Sequence, residues 1–198
     1  HHPDPTKSRG QYMPLLELAV KEDPHCPRNA FYHARELTFY NRWEEAVKAL
    51  KAYLEMPEAT WENERCYAMR LLGKAYDELG NVWEALKWYR LAVAEAPGTR
   101  EPWVDLSMAC YRRCLWAESY SAAKSSLQIA DKALVYTMDP SVWTEKPWDL
   151  ASIAAWNLGL KDEAIQLCKE ALKFNPTDSR LIKNLQQMTE PTLVEENG

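Results

Sequence analysis

The chain has 198 residues, 46% of them hydrophobic and 27% charged, with a formal net charge of −5. That length suits one domain or one continuous repeat array, and the apolar content excludes wholesale disorder. The acidic balance argues against nucleic acid or an anionic membrane as a general partner, and no apolar run approaches the roughly 20 residues of a membrane helix.

The first ten residues, HHPDPTKSRG, lack the hydrophobic stretch of a signal peptide and lack an initiator Met. They read as a linker from an upstream segment, with His1 and His2 either native or the end of a tag. Residues 11–22 then show an amphipathic pattern, and LAVKEDPHCPRNA at 18–30 runs parallel to LAVAEAPGTREPW at 91–103. The first helix is therefore expected to be the second half of a truncated hairpin.

The pattern is plainest at 66–99. Met69, Leu72, Gly73 and Tyr76 recur at i, i+3, i+4 and i+7, one face of a helix. Gly80 suits a left-handed cap, and a second helical pattern from Val82 to Glu95 stops before Pro97, which cannot continue it. Two short helices joined by a tight turn form a helical hairpin. Small Gly73 and Ala85 let the two backbones approach, and Tyr76 and Tyr89 fill the space beside them.

Variants of this unit fall at 27–60, 100–133 and 145–178. The first has Ala34 and Ala46 at the close-contact positions, with Asn41 in place of the turn glycine. The next has Ser107, Cys110, Ser119, Ala123 and Ser126; the last has Ser152, Ala155, Gly159, Ala164, Ala171 and Pro176. Insertions of about five residues near Ala59–Asn63 and about eleven within Asp131–Lys146 separate units of otherwise regular length. SRLIKNLQQM after Pro176 is an amphipathic helix, expected to cap the last apolar face at about 179–190.

The order bulky, Leu, small, aromatic, then Ala, aromatic, Ala and Pro resembles the tetratricopeptide repeat, and residues 66–99 fill all eight positions. The resemblance implies an all-α fold: a solenoid of about ten helices coiled into a right-handed superhelix over 11–198, its concave wall lined by the first helix of each unit. Residues 2, 5, 9, 12 and 13 of each unit would face that groove. These are Arg28, Phe31, Arg35, Thr38 and Phe39; Tyr67, Arg70, Lys74, Asp77 and Glu78; Glu101, Val104, Met108, Tyr111 and Arg112; Lys146, Asp149, Ile153, Trp156 and Asn157. The ten expected to contact a ligand are Arg28, Phe31, Arg35, Phe39, Tyr67, Arg70, Lys74, Tyr111, Arg112 and Trp156. Six basic residues against four acidic ones line this wall of an acidic chain. Arginine beside aromatic rings suits a peptide segment, a carboxylate, a phosphate or a glycan acceptor. Chaperone-binding members of the family clamp a terminal carboxylate with Lys, Asn and Arg. The corresponding positions here hold Phe31, Arg35, Leu71, Glu101 and Asp105, so that clamp is absent.

Chemistry of other kinds finds little support. The five cysteines, odd in number and widely spaced, do not form a disulfide framework and point to reduced thiols in a cytoplasmic setting. Cys110 and Cys114 have a chelating spacing but no matching second pair, and both are expected to serve as small packing residues. His25, Cys26 and His33 make no convincing metal cluster. Glu44-Glu45 and Asp162-Glu163 open helices, where the positive helix end explains them. No phosphate loop, nucleophile elbow or dinucleotide fingerprint occurs. The chain is expected to be non-catalytic, with no cofactor or metal of its own.

Residues 1–60 carry a second resemblance. The His-Pro start, Lys7-Ser8-Arg9-Gly10, PLLELAVKEDP, Ala34-Arg35-Glu36 and Trp43-Glu44-Glu45-Ala46 resemble the junction where family 2 glycosyltransferases pass into a helical repeat tail. The resemblance implies an upstream nucleotide-sugar-dependent domain with its own divalent metal. In that setting this chain would be an accessory tail that holds an acceptor, docks a protein partner or mediates self-association as a homo-oligomer. The alternative is a free-standing interaction scaffold.

Overall fold

The structure is a computed structural model describing residues 11–132 and 135–190. The expected linker at 1–10, including His1 and His2, and the chain end at 191–198 lie outside the described residues. Among the described residues there are ten α-helices and no strand. They fall into two compact units, His1–Pro97 and Gly98–Gly198.

The first unit contains α1 (Tyr12–Glu22), α2 (Pro27–Phe39), α3 (Trp43–Leu54), α4 (Glu62–Glu78) and α5 (Val82–Glu95). Proline punctuates it: Pro27 opens α2, where a missing N–H costs nothing, and Pro97 follows the end of α5. The helices pair as α2 with α3 and α4 with α5, while α1 packs on α2 and α3 on α4. Phe31, Leu37, Leu50, Tyr53 and Leu72 form the core around Ala34 and Ala46. Burying one such large side chain stabilises by about 1.5–3 kcal/mol. Arg42 joins two helices on the surface, bonding Glu45 of α3 through two nitrogens at 2.8 and 2.6 Å and Glu17 of α1 at 3.2 Å.

The second unit contains α6 (Arg100–Tyr111), α7 (Trp116–Gln128), a 3-10 turn (Pro140–Trp143), α8 (Lys146–Asn157), α9 (Lys161–Phe174) and α10 (Ser179–Thr189). Here α6 pairs with α7, α7 with α8, α8 with α9, and α9 with α10. Asp178 caps α10, accepting from the Arg180 and Leu181 amides at 2.8 and 3.2 Å.

All four hairpins turn in the same way. Asn41, Gly80, Cys114 and Gly159 have φ of 57°, 73°, 56° and 78°. The residue after each donates its amide back into the last helical turn: Arg42 to Leu37, Asn81 to Tyr76, Leu115 to Cys110 and Leu160 to Ala155, at 2.8–3.0 Å. That six-to-one bond with a left-handed residue ends a helix sharply and satisfies its stranded carbonyls. Cys114 therefore corrects the sequence expectation: it is the exposed turn residue of its hairpin, and only Cys110 packs in the core.

The close-contact pairs are all buried: Ala34 and Ala46, Gly73 and Ala85, Ser107 and Ser119, Ser152 and Ala164. Where serine replaces alanine, its hydroxyl bonds the facing helix. Ser107 Oγ donates to the Ser119 carbonyl at 2.8 Å, Ser119 Oγ to that of Ser107 at 3.0 Å, and Ser152 Oγ to that of Ala164 at 2.8 Å. The small side chain thus permits the approach, and the hydroxyl fills its own hydrogen-bonding needs there.

Each insertion is tied down by an arginine. Between α3 and α4, Arg65 Nη1 donates to the carbonyls of Leu54 and Ala59, both at 3.1 Å, while its Nε pairs with Glu95. Between α7 and α8, the Arg100 guanidinium lies 3.9 Å from the Trp143 ring centroid and Nε donates to Ile129 O at 2.9 Å. Val142, from this insertion, is completely buried.

A Cβ built on Gly73 would lie 2.7 Å from Tyr89 Cε1. Tyr89 is buried and its hydroxyl bonds Asp77 at 3.3 Å, so the ring has little room to retreat. Gly-to-Ala in an exposed helix stabilises by about 1 kcal/mol. Here Gly73→Ala is expected to destabilise by about 1–3 kcal/mol, and Gly73→Leu by at least as much. Denaturant unfolding checks the sign, and Tyr89→Leu in the Gly73→Ala background should recover part of the loss.

Candidate functional site: the first-helix faces

In the first unit, α2 and α4 lie side by side and present a stripe of cations laid on rings. On α2, Tyr32 sits one helical turn from both Arg28 and Arg35. Its ring centroid is 5.7 Å from the Arg28 guanidinium and 4.6 Å from that of Arg35. Arg35 also lies within 6.0 Å of Phe39 and 5.9 Å of Phe31. On α4, Arg70 lies 5.4 Å from the Tyr67 ring, and Lys74 Nζ lies 5.6 Å from Trp43 at the start of α3. Phe31 and Tyr67 meet across the two helices with ring centroids 6.0 Å apart.

In the second unit, α6, α8 and α10 enclose a groove. One part, with a volume of about 350 Å³, is lined by Met108, Tyr111, Asp149, Leu150, Ile153, Arg180 and neighbours. An adjoining part of about 270 Å³ shares Tyr111, Ile153 and Arg180 and adds Trp156, Asn184, Gln187 and Met188. Its floor is apolar and its rim charged, with Arg180 Nη1 on Asp149 Oδ1 at 2.9 Å. Burial pushes the Asp149 carboxyl up while the Arg180 bond pulls it down, and burial prevails; the same bond raises Arg180.

Twelve of the twenty expected wall positions lie on these two faces; Asp77, Glu78, Arg112 and Asn157 are not among the residues that form them, and four others are corrected. Phe31 has no exposed surface: it supports the first face from beneath and cannot touch a ligand. Thr38 is buried and returns its hydroxyl to the Arg35 carbonyl at 2.7 Å. Val104 is core, and buried Glu101 accepts from the Asp139 amide at 3.2 Å, holding the insertion. Of the ten expected contact residues, Arg28, Phe39, Lys74 and Arg112 are exposed. Arg35, Tyr67, Tyr111 and Trp156 are half-buried, and Arg70 is nearly covered beside Tyr67.

Three contributors escape the sequence reading. Tyr32 and Trp43 are the rings under Arg35 and Lys74, and Tyr32 is visible as an i+3 and i+4 neighbour of the two arginines. Arg180 is found by continuing the repeat register into the capping helix, where it takes position 2 and Gln187 position 9.

Among the described residues no three His, Cys, Asp or Glu side chains are placed to hold a metal ion. His33 instead lines a small apolar recess of about 180 Å³ with Val20, Pro24, Ala49, Tyr53 and Met56, between α1, α2 and α3. All five cysteines are free, and no described helix is long and apolar enough to cross a membrane.

Repeated helical hairpins with small residues at each crossing define a class of helical repeat protein. Two family models of the tetratricopeptide repeat match, over residues 33–99 and 147–178, and together they span half of the chain. The chain belongs to the tetratricopeptide-repeat family. A search of curated proteins gave no match. Among solved structures, MamA superposes with a TM-score of 0.64 at 15% identity, covering 92% of this chain and 86% of its own. YrrB, described as a TPR protein with an unusual peptide-binding site, gives 0.65 at 14% identity over 90% and 84%. The second TPR domain of human RPAP3, in complex with an HSP70 peptide, gives 0.56 at 15% identity over 66% and 100%. At these identities the likeness is one of fold.

Burial holds the His33 imidazole below its ordinary value, against smaller opposing effects of Glu17 and Glu45. The unfolded chain then takes up a proton at higher pH than the folded one. Stability is full above the unfolded value near 6.5 and falls as pH drops from there toward the lowered folded value. Thermal melts between about pH 7 and pH 5 are expected to show this loss, and His33→Gln should flatten it.

Proposed function

We infer that the chain is a non-catalytic interaction module that takes extended peptide segments of a partner protein on its first-helix faces. The observation that carries this reading is the groove of the second unit. It has an apolar floor (Met108, Ile153, Met188), rings at its wall (Tyr111, Trp156) and polar groups at its rim (Asp149, Arg180, Asn184, Gln187). Such a surface matches a peptide, which offers alternating apolar side chains and a backbone rich in donors and acceptors. The peptide sites of YrrB and of the RPAP3 domain support it by analogy of fold. The chaperone-type carboxylate clamp is not part of the reading, because Phe31 is buried and Glu101 is engaged at the positions it needs.

The resemblance of residues 1–60 to family 2 glycosyltransferase tails supports a finer version, in which the module serves a transferase and presents a glycan acceptor or docks a partner. A free-standing scaffold accounts for the same groove. Sequencing upstream of His1 separates them: an α/β domain with Asp-x-Asp supports the tail, and a nearby initiator Met supports the scaffold. The cytoplasmic setting belongs to the same proposal, resting on five free thiols.

Panning a random peptide library against the chain tests the core reading. Peptides selected by the groove are expected to bind Trp156→Ala about tenfold more weakly, as truncation of a buried aromatic anchor does. Trp156 also packs on the core of the second unit, so a melting curve checks that the variant remains folded. Failure to select any peptide would overturn the reading.

A further inference from the structure

The first unit's face differs in kind from the groove of the second. Several cations elsewhere in the described surface pair with a carboxylate: Arg42 with Glu17 and Glu45, Arg65 with Glu95, Lys124 with Glu163, Lys173 with Glu170. Arg28, Arg35 and Lys74 have none among the described residues, in a chain whose net charge is −5. Each lies on a ring instead: Arg28 and Arg35 on Tyr32, Lys74 on Trp43.

Arg35 is the centre of this arrangement. Its Nε is buried and has no hydrogen-bond partner. A covered donor without an acceptor is destabilising, more so for a charged group. The rings of Tyr32, Phe31 and Phe39 fix the guanidinium, so little rotamer freedom remains to be lost when an anion arrives. A guanidinium stacked on a ring keeps its N–H edge for a carboxylate, which it can grip through two parallel bonds. Phe39, 43% exposed at the end of the same stripe, offers an apolar contact next to the charges.

Resting on the reading that first-helix faces take peptide segments, we propose that the α2–α4 face of the first unit is a subsite for an acidic segment. Clustered Glu or Asp carboxylates pair with Arg35, Arg28 and Lys74, and an apolar side chain of the segment lies on Phe39.

The test uses the full chain and two fluorescein-labelled peptides, repeated Glu-Glu-Leu and repeated Gln-Gln-Leu, titrated by fluorescence anisotropy at low and moderate salt. The acidic peptide is expected to bind at least about tenfold more tightly, and salt should erode that margin. Arg35→Gln should remove most of the preference, and the exposed Arg28→Gln should lower it without touching the core. Lys173→Gln, the same charge change on α9, should leave it intact, and melting curves check that each variant is folded. Equal binding of the two peptides, no binding of the acidic one, or a preference untouched by both Arg35→Gln and Arg28→Gln would overturn the proposal. The library selection and its Trp156 dependence would survive any of these results, so the subsite and the general reading fail separately.

Discussion

The constraint on which this molecule depends is how near two helices can lie when each omits a side chain at the crossing. Gly73 leaves its place to the Tyr89 ring, and Ser107 and Ser119 bond each other's backbone across the gap. Interiors pack at crystal-like density, so one added carbon at such a point forces neighbours to move. The left-handed residue that closes each hairpin follows from the same requirement. The chain must reverse at once to bring the second helix back against the first, and Asn41, Gly80, Cys114 and Gly159 accept the backbone geometry that this demands.

Hairpin packing also decides which residues are left for recognition. The first helix of each pair turns one side to its partner and keeps another for solvent, so its wall-facing residues form a stripe rather than a pocket. In the first unit that stripe carries guanidinium and ammonium groups on rings; in the second it closes under α10 into a groove. The capping helix thus does more than shield apolar surface: Arg180, from its first turn, completes the groove's rim on Asp149.

Much of this was legible in the sequence, and the misses have physical reasons. The spacing of small residues among large apolar ones, with the turn residue and the closing proline, located the hairpins, because a close crossing requires small side chains. Asn41 and Gly80 marked turns, since both residue types enter the left-handed region readily. Cys114 carried no such mark; a thiol has no special preference for that backbone shape, its spacing from Cys110 suggested chelation, and its repeat position suggested packing. Wall positions were identified by register, but register cannot tell how far a ring sinks. Phe31 was expected to face a ligand and instead fills the core beside Tyr53. Tyr32, one residue on, was passed over and sits under both arginines. A one-residue step rotates a side chain by about a quarter turn around the helix, enough to exchange floor for foundation.

Each pair of crossing residues stands twelve positions apart in every hairpin, from Ala34–Ala46 to Ser152–Ala164, while the spans joining one hairpin to the next differ widely. The phase inside a hairpin is therefore rigid, whereas the joints carry slack that Arg65 and Arg100 gather in. Differences in chain length are taken up at these joints and not inside a hairpin. There a single guanidinium, holding backbone carbonyls, shows how surplus chain is stowed.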